Sequence, residues 1–247
     1  KGKKIGISSN SHKAINNLLK QIEDIAVEEK FEFKGLKKSS QDRETKNIKE
    51  DQIFNGKTEM IHNTISYISA SSDYSLFAGT LWYFSYTGSK FNKETQKVEE
   101  KPPIFDQSLD YMFIDEAGQV SLAGAIVLGT TSKNLILIGD QMQLANPIKG
   151  VHEGNSGKSC LEFLLQNHDT IPLNKGIFLK ETRRLNKKIC KFISESFYES
   201  RLKPHKIAEK RKVISKVKDF EHEGIFYIPI DHQGCSTSSE EESKKIK

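Results

Sequence analysis

The sequence predicts an α/β fold organised on a parallel sheet, and two features carry that expectation. Two continuous apolar runs, 109–114 and 134–138, each end on an acidic turn, Asp115-Glu116 and Gly139-Asp140. Unbroken apolar strands, separated by enough chain for a helical crossover, indicate a parallel sheet with helices on both faces. The chain also begins with a strand–loop–helix pattern. Residues 4–8 read as a short buried strand, and about 13–28 as an amphipathic helix with Ala14, Leu18, Ile22 and Ile25 on one face.

The other elements follow in order. Residues 31–52 are polar and charged around a weak strand at 31–36, and are expected to form a variable insert. A helix is expected through Met60, Ile61, Ile65 and Ile68, then a strand over 74–80 that reaches a turn. The stretch 85–103 is long, charged and turn-rich, which predicts a mobile surface loop. Beyond Gly150 the pattern predicts helix 159–167, strand 176–179, helix 187–198 and strand 224–230.

Composition narrows the class. With 36% hydrophobic residues in 247, the chain can bury a substantial core. Cys160, Cys190 and Cys235 lie far apart, without CxxC or zinc-finger spacing, which argues against a disulfide framework or structural zinc and favours a reduced cytoplasm or nucleus; a cytoplasmic protein is expected. No apolar stretch nears the roughly 20 residues that span a bilayer, so no membrane partner is expected. The opening Lys1-Gly2-Lys3-Lys4 runs straight into a strand, and the sequence is expected to be a fragment of a longer chain. Net charge is +5, from 38 basic and 33 acidic residues, with basic clusters at 34–38, 187–191 and 210–218. Such faces can bind phosphate backbones, although lysine-rich surfaces more often serve solubility.

The residues that carry chemistry sit at strand ends. Asp115-Glu116-Ala117-Gly118-Gln119 directly follows an apolar strand, where parallel α/β sheets gather catalytic groups. A strand-terminal aspartate can hold Mg²⁺ through water, and an adjacent glutamate can orient and deprotonate the water that attacks a γ-phosphate. The competing reading is that the acidic pair caps the next helix. Gly139-Asp140-Gln141-Met142-Gln143-Leu144 repeats the arrangement, with Gln143 suited to sensing a γ-phosphate and Asp140 to fixing the turn.

Three other signals are weaker. Gly154-Asn155-Ser156-Gly157-Lys158-Ser159 looks like a phosphate loop, but His152 stands where its first glycine belongs and no apolar strand precedes it. It reads as a glycine-rich turn capping a helix. His62, His152, His168, His205, His222 and His232 are scattered, so no histidine metal site is expected. Trp82, Tyr83, Phe84 and Tyr86 have rings that can stack on bases, each such contact contributing about 1–3 kcal/mol, although core packing is the commoner fate of such residues.

Asp-Glu-Ala-Gly-Gln followed after about twenty residues by Gly-Asp-x-x-Gln-Leu resembles motifs II and III of superfamily 1B helicases. The resemblance extends to residues 9–18, which are similar to motif Ia, and to Ala78-Gly79-Thr80-Leu81-Trp82, similar to the next strand-end motif. Phe178 to Arg184 and the following helix resemble motif IV, with Arg184 matching the family arginine, while Leu185-Asn186-Lys187 replaces the common Met-His-Pro. Gly139 to Leu144, Gly150-Val151-His152 and Phe192 to Glu195 are most similar to helicase regions fused behind a RecB-like nuclease.

The resemblance implies a RecA-like P-loop NTPase sheet over 1–172, without its phosphate loop, and the start of a second RecA-like domain over 173–247. It implies a parent protein that hydrolyses ATP with Mg²⁺ to travel 5′→3′ on single-stranded DNA, with RNA as the alternative, and that carries a RecB-like nuclease domain in the same chain. It assigns Asp115 to Mg²⁺ through water, Glu116 to the attacking water, and Gln143 and Arg184 to the γ-phosphate. Gln119, Gly139 and Asp140 would complete the nucleotide side, and Ser11, His12, Lys13 and Thr80 would contact the strand. The isolated chain, lacking the phosphate-loop lysine, is expected to be inactive or nearly so. Two rivals stay open: a catalytically inactive helicase-like docking module for nucleic acid or protein, and a remodelling ATPase that separates no strands.

Overall fold

In the computed structural model, the residues described are 2–38, 57–61, 73–85, 87–92, 97–103, 105–144, 150, 152–166, 168–212 and 225–246. The chain divides into two compact units, Lys1–Asn167 and His168–Lys247. In the first, strand β1 (Ile5–Ser8) pairs in parallel with β4 (Leu76–Gly79) on one side and β7 (Tyr111–Ile114) on the other, in registers that set Ser8 beside both Gly79 and Ile114. Strands β2 (Gly35–Lys38) and β3 (Thr58–Ile61) extend the sheet beyond β4, and β8 (Leu135–Leu137) extends it beyond β7. The six strands are all parallel, in the order β3-β2-β4-β1-β7-β8, so their C-terminal ends share one edge.

Both faces are covered, because successive strand side chains point to opposite sides. Helix α1 (His12–Glu28) lays Ile15 and Leu19 on Ile7, Leu76 and Ala78. On the other face Phe77, Met112 and Ile114 meet Tyr83 and Phe84 of α2 (Leu81–Phe84), Leu128 of α3 (Leu122–Gly129) and Leu161 of α4 (Cys160–Leu165). Phe105 fills the centre of this cluster, edge-on to Phe77 with ring centroids 5.2 Å apart. Each fully buried aliphatic side chain here stabilises the fold by about 1.5–3 kcal/mol.

Several expectations are corrected. The fully buried stripe of α1 is Ile15, Leu19, Glu23 and Ala26; of the predicted face, Leu18 and Ile22 pack half-buried against the core, while Ile25 is 58% exposed. A buried glutamate on that stripe disguised its centre. The strand expected at 31–36 is β2, displaced towards the C-terminus, and Lys37 of the supposed surface cluster is fully buried. The helix expected from Met60 begins instead as strand β3, bonded along β2; residues 62–72 lie outside the described residues. Short apolar runs do not distinguish helix from strand until a partner is known. The loop expected over 85–103 contains an antiparallel hairpin, β5 (Thr87–Asn92) with β6 (Lys97–Pro103). Strand β8 is an edge strand, with Leu135 38% and nearby Ile138 40% exposed, where an apolar run covered on both faces was expected.

In the second unit, β9 (Glu181–Thr182) and β10 (Lys203–Pro204) form a short parallel pair beside α5 (Lys187–Phe197), followed by α6 (Lys206–Glu209) and, near the C-terminus, α7 (Glu240–Ile246). Residues 176–179 and 225–230 are extended but not strands. A strand exists through ladder bonds to a neighbour, and among the described residues neither segment has one, which leaves Ile177, Leu179 and Tyr227 exposed.

Candidate active site

Four strand ends build the site. At the end of β7 the Asp115 N–H donates to the Ser8 carbonyl at 2.9 Å, which fixes the acidic pair beside the loop that leaves β1. Glu116 then turns into the left-handed region, with φ 55° and ψ 41°. A non-glycine residue there carries strain of order 1–3 kcal/mol, and the surroundings must hold it. They do so through three bonds: Ala117 N–H to the Ile138 carbonyl at 2.9 Å, Gln119 N–H to the Glu116 carbonyl at 2.9 Å, and the Cys160 thiol to the Ala117 carbonyl at 3.1 Å.

The capping explanation of the acidic pair is excluded by geometry. Glu116 precedes a single 3-10 turn, Ala117–Gln119, and its side chain makes no capping bond; α3 is capped by Ser121, whose Oγ accepts from the Gly124 N–H at 3.1 Å. Neither carboxylate of Asp115 or Glu116 has a hydrogen-bond or ion-pair partner among the described residues. The pair is therefore available to an external group.

The second acidic turn lies backbone to backbone against the first. A Cβ on Gly118 would stand 2.2 Å from the Asp140 carbonyl oxygen, and one on Gly139 would stand 2.6 Å from the Ala117 nitrogen. These two glycines are what let the loops meet. Asp140 closes its own turn, accepting from the Met142 N–H at 3.0 Å and from the Gln143 side-chain amide at 3.2 Å. The Gln143 carboxamide keeps its oxygen and a second N–H for other partners.

The loop after β1 joins the same edge. Asn10 Nδ2 donates to the Gln119 carbonyl at 2.8 Å, tying residues 109 positions apart. Ser11 caps α1, its Oγ accepting from the Ala14 N–H at 3.1 Å; His12 opens that helix half-buried, and Lys13 is exposed in its first turn. Thr80 precedes α2 without a side-chain capping bond. The edge thus gathers Ser11, His12, Lys13, Thr80, Asp115, Glu116, Gln119, Gly139, Asp140 and Gln143. Arg184 belongs to the second unit, where its N–H donates to Thr182 Oγ1 at 3.2 Å and its side chain is exposed. The departure at Leu185-Asn186-Lys187 has a local reason: Asn186 Oδ1 caps α5 by accepting from the Ile189 N–H at 3.0 Å.

Three positioning groups were not singled out from the sequence. Asn10 and Gly118 lay inside recognised motifs, whereas Cys160 carried no signal at all. Its thiol is buried beneath the Glu116 turn, and burial pushes its pKa up, so it remains a neutral donor to that turn. Residues 154–157 turn into a capping box in which Ser159 and Glu162 exchange bonds at the start of α4, and that helix braces the acidic loop through Cys160 N–H to the Val120 carbonyl. No three His, Cys, Asp or Glu side chains converge as a cation cage among the described residues. Mg²⁺ on a nucleotide can be held by one carboxylate through water beside phosphates, and Asp115 fits that donor set. The open concavity bounded by Phe226, Tyr227, Ile228 and Ile230 is in the second unit and is lined by none of these motif residues.

The architecture is a parallel α/β sheet with helices on both faces, compatible with Rossmann-like and RecA-like domains. The chain matches no protein-family model and no curated protein.

Proposed function

We propose that this chain carries the hydrolytic carboxylates of an ATP-driven motor of the superfamily 1 helicase type. The observation that carries the reading is the Asp115-Glu116 pair, unengaged by protein partners, at a strained strand end that glycine contacts lock against a second acidic turn. In this reading Glu116 takes the proton of the water that attacks the γ-phosphorus of ATP, and ADP leaves with the electron pair of the cleaved P–O bond. Asp115 would hold Mg²⁺ through water, and the ion would neutralise charge on the phosphoryl oxygens. Gln143 supplies an amide donor to the γ-phosphate and is held by Asp140 in its turn, while a guanidinium role for Arg184, in the second unit, is what the resemblance alone implies. Ser11, His12, Lys13 and Thr80 hold the backbone of single-stranded DNA or RNA.

The same reading supplies an occupant for the outer edge of β8, which no strand pairs among the described residues. Asn134 and Ile138 bond towards β7, so by alternation the backbone groups of Leu135 and Leu137 face outward. In this reading a parallel strand carrying a phosphate loop would pair there. The experiment is ATP turnover by the protein that contains this chain, with and without single-stranded DNA. Strand-stimulated turnover is expected. Strand binding without any turnover would instead establish the docking module.

A further inference from the structure

Among the described residues, the rim of the sheet carries one large aromatic side chain that is left uncovered. Tyr83 and Phe84 are buried, with ring centroids 5.4 and 5.3 Å from Phe105, and belong to the core; Tyr86 lies outside the described residues. Trp82 is 80% exposed, although α2 around it is anchored, with Leu81 packed so closely that a Cβ on Gly124 of α3 would stand 3.2 Å from it. Trp82 therefore stands on a fixed base, ring outward, and a fixed ring loses little freedom on binding a flat partner.

Its position says which partner. The pairing of Ser8 with Gly79 sets the segment Thr80–Trp82 beside Ser9, Asn10 and Ser11, with Lys13 exposed one turn on. The carboxylates of Asp115 and Glu116 leave β7, one strand spacing from β1 and two, or about 10 Å, from β4, so Trp82 stands on the side of the rim away from them. The rim at β4 is thus polar, with Lys13 exposed beside it and an aromatic ring standing on it, while the acidic pair lies on the far side of β1. An exposed aromatic face on a polar rim with a basic side chain beside it suits an unpaired strand, since every base has a π-face to stack.

We propose that Trp82 is a base-stacking platform for single-stranded nucleic acid crossing the C-terminal ends of β4 and β1. The assignment rests on the strand-binding part of the function proposed above and adds to it a base contact beside the backbone contacts. A ring that stacks bases favours unpaired strands over duplex, whose bases are closed within the helix.

Trp82 is the single tryptophan of the chain, so selective tryptophan excitation reports on this ring alone. The test titrates the 247-residue chain with fluorescently labelled oligo-dT and, separately, oligo-rU, reading label anisotropy for binding; unlabelled oligomers are used to read tryptophan emission. Trp82→Ala and Trp82→Phe are compared with the parent, after thermal melts establish that all three are folded. The expected result is saturable emission quenching, affinity weakened roughly tenfold or more by Trp82→Ala, partial recovery in Trp82→Phe, and an unchanged salt slope. Whichever oligomer shows this identifies the strand. Binding with no emission change and no loss in Trp82→Ala would overturn the stacking role while leaving strand binding intact, and would point to a protein contact at this ring. Absence of any anisotropy change would overturn strand binding itself, and the platform with it.

Discussion

Replacing Gly118 by alanine tests how tightly the two acidic turns depend on each other. The added Cβ would lie 2.2 Å from the Asp140 carbonyl oxygen and 2.9 Å from its carbon, both backbone atoms that no rotamer change can remove. Ordinary contact begins near 3.4 Å, so the loops must part by about 1 Å. Overpacking of this kind costs about 1–3 kcal/mol, and the parting also strains the Ala117 N–H bond to Ile138, worth about 1 kcal/mol net. A loss of about 3 kcal/mol is expected, or about 6–12 °C in melting temperature at this chain length. Gly129→Ala is the control, because Gly129 ends α3 with open space around a new Cβ, and alanine there should stabilise by up to about 1 kcal/mol. The assay is urea unfolding followed by the emission of Trp82, which reports the first unit. A Gly118→Ala loss below about 0.5 kcal/mol, or equal effects at both glycines, would refute the close approach of the loops.

Other outcomes follow from the same structure. Ser159→Ala removes the capping box of α4 and should cost about 0.5–2 kcal/mol, read by urea unfolding; a variant within error of the parent would deny the brace its role. Asp110 accepts from the Lys4 N–H and from Lys133 Nζ and lies near Lys3, and these hold its carboxyl below the usual carboxylate range. Its contribution is present above the unfolded value near 3.9 and disappears as pH falls through the lower folded value, so Asp110→Asn should destabilise at neutral pH and converge with the parent in acid. Urea midpoints at neutral and strongly acidic pH check this. With a thiol reagent on the native chain, exposed Cys235 should react first, and buried Cys160 and Cys190, whose pKa values burial raises, should react only on unfolding; rapid labelling of Cys160 would contradict its place beneath the Glu116 turn.

What was legible in the sequence was whatever periodicity and strand ends record. Strands β1, β7 and β8 announced themselves as apolar runs, α1 and α5 as amphipathic stretches, and the acidic turns by following strands directly. Strand β3 was hidden because Thr58-Glu59-Met60-Ile61 is polar at its start, and the hairpin because Lys and Glu dominate 97–101, so its pairing shows only when both arms are in place. The buried Lys37 and Glu23 broke the rule that charge lies outside. At the site, residue types were legible and their mutual fit was not. Nothing local in the sequence indicates that Glu116 is left-handed, that Gly118 touches Asp140, or that Cys160 donates to a carbonyl 43 residues away. Those are properties of two loops meeting in space.

The role proposed for Glu116 is to activate water for ATP hydrolysis at this edge. The most direct measurement is ATP binding and turnover by the protein that contains this chain, in the presence of single-stranded DNA, with Glu116 intact and as Glu116→Gln. Loss of a positioned base typically lowers turnover by about 10²–10⁴-fold, and the isosteric amide should keep the fold and nucleotide binding. Retained ATP binding with turnover reduced on that scale is expected. Unchanged turnover in Glu116→Gln would contradict that role and remove the acidic pair from the chemistry.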